Sequence, residues 1–174
     1  MRTSRLWLLL AACCLGGGAT MPDPFAGTLH RLDKGRVARS AVADDVRQVA
    51  LYYGASWCGP CRAFVPELIA AYPRLRAMGT EVIFVSDDRS CAAALDYARA
   101  SRMPWLLLPC DAHRRRALRA LGGTALPGLV VVDRDGRQRA TSWRADDDSA
   151  PRGTLRWLLD RPPGSGRPAA GAGT

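Results

Sequence analysis

Two cysteines, Cys58 and Cys61, stand at the join of two very different segments. Before them, Val49-Ala50-Leu51-Tyr52-Tyr53 is a continuous apolar run. That is the pattern of a strand buried on both faces. After them, Phe64, Leu68, Ala71, Tyr72 and Leu75 recur at helical spacing and predict a helix over about residues 59–78. The pair therefore falls in the first turn of a helix that follows a buried strand. Unpaired N–H groups and the positive end of the macrodipole gather there. Both favour a thiolate on Cys58. Free thiols titrate near about 8.5, and those in such a setting at about 3.5 to 7.5. Pro60 suits the first turn, where its missing N–H costs nothing, whereas Pro66 lies inside the helix and should kink it. Cys58 is expected to be the exposed attacking sulfur and Cys61 its partner one turn on. Together they form a dithiol that can close and reopen.

Other uses of the pair fit less well. A zinc site takes four ligands, and the chain has no second C-x-x-C and only His30 and His113. Haem attachment needs histidine after the second cysteine, where Arg62 stands. No metal and no cofactor are expected.

The 174 residues fit one domain with appendages. A loose alternation over residues 29–37, around Asp33-Lys34-Gly35, reads as a short N-terminal hairpin. Strands are expected at 82–85, 105–108 and 129–132. Helices are expected from Ser90 to about 102, from Asp111 to about 121, and from about 149 to 160. Asp135-Gly136 marks a hairpin into a last strand over 138–143. Strands alternating with helices imply parallel pairing, and the hairpin adds an antiparallel edge. The class is α/β, with a mixed central sheet flanked by helices.

The ends read differently. Residues 1–19 carry Arg2 and Arg5, a short apolar run and a small-residue exit, which is the form of an export signal. Leu10-Ala11-Ala12-Cys13 is similar to a bacterial lipobox, in which Cys13 would be lipidated; cleavage after Ala19 is the other route. Residues 20–26 read as a linker, 27–160 as the domain and 161–174 as a disordered tail. The expected setting is periplasmic, either soluble or membrane-anchored as a lipoprotein. The net charge of +9 rests almost wholly on arginine, since Lys34 is the one lysine. His113-Arg114-Arg115-Arg116 reads as a solvated helix face, so no nucleic-acid partner is expected.

The stretch Tyr53-Gly54-Ala55-Ser56-Trp57-Cys58-Gly59-Pro60-Cys61-Arg62-Ala63-Phe64-Val65-Pro66, with Met103-Pro104-Trp105-Leu106 and Ala125-Leu126-Pro127, carries a resemblance. From Gln48 to Trp143 the chain resembles the thioredoxin superfamily, in its tryparedoxin and nucleoredoxin branch. The bacterial membrane-tethered thioredoxin-like reductases are a second candidate. The resemblance implies the thioredoxin fold and a thiol–disulfide oxidoreductase acting as a protein-disulfide reductase. It implies Cys58 and Cys61 as catalytic, and Trp57, Gly59, Pro60, Leu126 and Pro127 as substrate-binding, with a cis bond before Pro127. Implied partners are disulfide-bearing protein substrates and a membrane or periplasmic electron donor, and a monomer is expected. A redox-inert binding module of the same fold and a copper metallochaperone are the rival readings.

Two positions depart from the family pattern. Tyr52 stands where many thioredoxins hold a buried acid, so no side-chain carboxylate is evident to take the Cys61 proton. Gly128 follows Pro127 where threonine is common, which suggests a more open groove.

Cys91 and Cys110 follow two strands that a right-handed β-α-β unit places side by side. A bridge needs Cα atoms about 4.4 to 6.8 Å apart and would add about 3 kcal/mol through its loop. The other outcome is two unconnected, half-buried thiols.

Overall fold

The computed structural model describes residues 25, 27–122, 125–143 and 150–160. The expected export signal with Cys13, most of the expected linker, and the expected tail at 161–174 lie outside the described residues. Among the described residues eleven elements follow in order: β1 (Leu29–Asp33), β2 (Arg36–Ser40), β3 (Gln48–Gly54), α1 (Gly59–Ala77), β4 (Thr80–Ser86), α2 (Cys91–Ala100), β5 (Leu106–Leu107), α3 (Ala112–Arg119), β6 (Gly128–Asp133), β7 (Gln138–Thr141) and α4 (Ala150–Asp160).

The strands form one mixed sheet in the order β2-β1-β5-β4-β3-β6-β7. β3, β4 and β5 run parallel, while β6 pairs antiparallel with β3 and then turns into β7. Every residue of β3 is buried, because helices cover both faces. Its side chains alternate between two cores, as the two-residue period of a strand requires. Ala50 and Tyr52 meet Phe64 and Leu68 of α1, Tyr97 of α2 and Leu158 of α4 on one face. Val49, Leu51 and Tyr53 meet Leu118 of α3 and Val130 on the other.

Phe25 also packs in this second core, at 3% exposure. Part of the segment expected to be a linker is therefore structural. Burying one aromatic side chain contributes roughly 1.5–3 kcal/mol.

Helix starts follow local chemistry. Ser90 Oγ accepts from the Ala93 N–H at 3.1 Å, and Asp111 Oδ1 accepts from the Arg114 N–H at 3.0 Å. α1 runs continuously through both Pro66 and Pro73, which lie on its exposed side. β5 is shorter than expected: Trp105 is fully buried but precedes the two paired residues.

An ion pair between the half-buried Arg31 and the buried Glu81 ties distant elements together. Glu81 of β4 accepts from Arg31 at 3.0 Å and from the Tyr72 hydroxyl at 2.7 Å. Arg31 also donates to the Pro104 carbonyl at 2.6 Å. Burial pushes the Tyr72 hydroxyl up to about 12, so it stays a donor. No sequence periodicity marks this cluster, since its members are far apart in the chain.

Candidate active site

The site forms where β3 ends and α1 begins. Cys58 is the N-cap of α1, with extended backbone at φ −83° and ψ 107°. Its Sγ accepts from the Cys61 N–H at 3.1 Å, which satisfies one of the helix's orphan donors. Pro60 occupies the first turn, where no N–H is required. Cys58 and Cys61 are joined as a disulfide with Cα atoms 5.2 Å apart.

The expectation of an exposed Cys58 needs correction. Cys58 is 6% exposed and Cys61 0%, so both sulfurs are largely covered. They pack with Ala55, and Leu126 lies against that small cluster. The remaining accessible area is on Cys58. Trp57 is 60% exposed and fills no core position.

The loop holding Leu126 and Pro127 enters β6, and the Leu126–Pro127 bond is cis. Gly128 does not open the groove, contrary to expectation. A Cβ on Gly128 would collide with the six-membered ring of the Trp143 indole, so the indole occupies the space that a larger residue would take. Trp143 Nε1–H donates to the Ala125 carbonyl at 2.8 Å, and its ring lies 4.8 Å from that of Tyr53. The Arg119 guanidinium sits over the Tyr53 ring, 5.8 Å from its centroid, and pairs with Asp87 at 3.0 Å. Trp143 therefore braces the loop before the cis bond. Gly128→Thr is expected to cost about 1–3 kcal/mol in a urea titration, through overpacking against the ring. Adding Trp143→Ala should recover part of that loss, and a purely additive double variant would show that the two positions do not interact.

Tyr52 lies beneath the dithiol. Its hydroxyl donates to the Cys61 carbonyl at 3.4 Å and lies 3.5 Å from the Tyr97 hydroxyl. Burial, aided by Tyr97 and the negative charge of Asp88, raises its pKa strongly, so it remains a neutral phenol. Asp88 is a buried carboxylate close to this site, which the sequence reading did not find. It is 4% exposed. Its Oδ1 accepts from the Ser56 N–H at 3.0 Å and the Ser56 hydroxyl at 2.7 Å. Its Oδ2 accepts from the Ser86 hydroxyl at 2.8 Å. Arg62 donates to the Ser56 carbonyl at 3.0 Å, closing the loop from the other side. The available signal was Ser86-Asp87-Asp88 directly after a buried strand, at the same sheet edge as the cysteines.

Cys91 and Cys110 are also joined, with Cα atoms 5.7 Å apart. Both are exposed rather than half-buried. Among the described residues no group of three or more His, Cys, Asp or Glu side chains is placed to hold a metal ion.

Comparison with known proteins agrees with this geometry. A family model described as thioredoxin-like matches residues 45–138. Tryparedoxin from Trypanosoma brucei brucei is 36% identical over 114 residues, which cover 60% of this chain and 76% of that protein. Nucleoredoxin from Danio rerio is 32% identical over 131 residues, covering 72% of this chain. The chain spans only 31% of that nucleoredoxin and 16% of the probable nucleoredoxin 1 of Arabidopsis thaliana. Among solved structures, tryparedoxin II complexed with glutathionylspermidine superposes with a TM-score of 0.59 at 30% identity, over 71% of this chain and 88% of that one. The strand, the C-x-x-C turn, the helix and the cis-proline loop thus agree with the sequence matches, and the chain belongs to the thioredoxin-like family, in its tryparedoxin and nucleoredoxin group.

Proposed function

We propose that the chain is a protein-disulfide reductase in which Cys58 attacks and Cys61 resolves. One observation carries the reading: the Cys58 sulfur caps α1 and receives the Cys61 N–H, so a thiolate formed there meets a donor already in place. In the reduced enzyme the Cys58 thiolate attacks one sulfur of a substrate disulfide. That bond breaks, and the departing sulfur leaves as a thiolate that takes a proton. The Cys61 thiol then loses its proton and attacks Cys58, releasing the second substrate sulfur. The substrate has gained two electrons and Cys58–Cys61 is again a disulfide. An electron donor, in the membrane or the periplasm, must reopen it.

Protein substrates suit this edge. The exposed Trp57 ring offers apolar contact beside the sulfurs. The backbone at Leu126 offers hydrogen bonds to an extended substrate segment. Gly59 and Pro60 leave the first turn uncluttered, and a Cβ on Gly59 would meet nothing within 4 Å. A small disulfide is the second reading, because the similar tryparedoxin II was solved with glutathionylspermidine. Turnover of insulin against turnover of a glutathione-type disulfide separates the two.

The Gly59-Pro60 pair supports a reducing poise. Equilibration with glutathione should place the potential nearer about −270 mV than about −120 mV, and a value above about −170 mV rejects the reductase direction. Export, action as a monomer and attachment through Cys13 belong to the same proposal. Labelled palmitate should mark the wild type and not Cys13→Ala; unlabelled wild type favours soluble export.

A further inference from the structure

The Cys91–Cys110 bridge lies outside the site described above, and its surroundings differ from those of a structural staple. Both of its cysteines are exposed, whereas Cys58 and Cys61 are covered. Cys91 is the first residue of α2, directly after the Ser90 cap. A thiolate there lies at the positive dipole end of a ten-residue helix, beside the Ser90 hydroxyl that caps it. Cys110 stands two residues before α3, but that helix start is taken by the Asp111 carboxylate, which accepts from the Arg114 N–H at 3.0 Å, and a thiolate next to that negative charge is disfavoured. The two cysteines border an apolar cavity of about 140 Å³ lined also by His30, Phe84, Leu95 and Leu107.

Both elements that flank the bridge are also held by contacts that do not involve it. α2 is held by Tyr97 and Ala98 in the core and by its serine cap. β5 is held by Leu106 and Leu107, which pair with Ile83 and Phe84 of β4. Opening the bridge removes neither set of contacts. Structural disulfides resist reduction, while exposed ones are the labile and exchanging ones.

We propose that Cys91–Cys110 is a second exchangeable disulfide, which accepts two electrons from an external dithiol without unfolding of the chain. One thiolate of the dithiol attacks Cys110 Sγ. The Cys91–Cys110 bond breaks, and its electron pair leaves on Cys91, the sulfur at the helix start, because the more stable thiolate leaves faster. The second dithiol sulfur, having lost its proton, attacks the first and frees Cys110, which takes up a proton. The dithiol ends as a disulfide and the bridge as two cysteines. This site does not depend on the chemistry assigned to Cys58 and Cys61.

The test therefore uses a Cys58→Ser/Cys61→Ser chain, with far-ultraviolet circular dichroism to establish that it remains folded. Dithiothreitol is added, samples are alkylated at intervals, and peptides containing Cys91 and Cys110 are weighed. Both should become alkylated together in the folded chain, at a rate within about tenfold of that in guanidinium chloride. In the reduced chain near neutral pH, Cys91 should react with iodoacetamide before Cys110. A bridge that opens only with denaturant overturns the proposal, as do two cysteines already free before dithiothreitol is added. Faster alkylation of Cys110 overturns the assignment of Cys91 as leaving group.

Discussion

Cys58→Ser is expected to reduce insulin no faster than the uncatalysed background, while Cys61→Ser should halt after one half-reaction as a covalent adduct. The asymmetry follows from position. Cys58 is the helix cap and carries the accessible part of the pair; Cys61 is fully buried one turn on. A serine hydroxyl at the cap still accepts the Cys61 N–H, so the helix start survives. It cannot become a thiolate, and the thiolate is the nucleophile. With Cys61→Ser the first attack proceeds, but no second sulfur stands within reach to break the mixed disulfide. Turbidity of reduced insulin measures the first result. Non-reducing electrophoresis measures the second, as a band that dithiothreitol removes. Near-normal turnover by Cys58→Ser would contradict the whole mechanism.

Asp88→Ala should lower stability by about 2–4 kcal/mol and turnover with it. Two effects oppose each other here. Removing a buried carboxylate relieves the cost of keeping a charge away from water. It also leaves the Ser56 N–H and the hydroxyls of Ser56 and Ser86 without their acceptor. Orphaned donors cost about 1–3 kcal/mol each. The hydroxyls can turn elsewhere but the backbone N–H cannot, so the loss should outweigh the relief. Ser56 lies two residues before Cys58, and the slack should reach the sulfur. Asp88→Asn keeps an oxygen for the N–H and should recover part of both losses. A urea midpoint and an insulin assay on the three proteins give the answer. An Asp88→Ala chain indistinguishable from wild type in both would show that the carboxylate braces nothing.

Much of the architecture is legible in the chain itself. The apolar run at 49–53, the spacing of Phe64, Leu68, Tyr72 and Leu75, and the cysteines between them specify strand, turn and helix locally. Each of those signals acts over a few residues, so the chain displays it directly. The Ser90 and Asp111 caps and the Asp135-Gly136 turn are local in the same sense.

What escaped the sequence depends on atoms that meet across the fold. Gly128 alone looks like an open groove, and only the return of β7 puts the Trp143 ring into that space. Tyr52 looks like a lost acid until the loop after β4 brings Asp88 to the same edge. Cys58 looks exposed at a helix start until Leu126, far along the chain, packs against the sulfur cluster. Phe25 reads as linker because its partners lie in strands and a helix that come later. The sequence by itself determined which elements form and where the dithiol sits, because hydrogen-bonding periods and capping are local. Tertiary structure alone decided what covers the sulfurs and which carboxylate braces their loop, because burial and ion placement depend on neighbours distant in the chain.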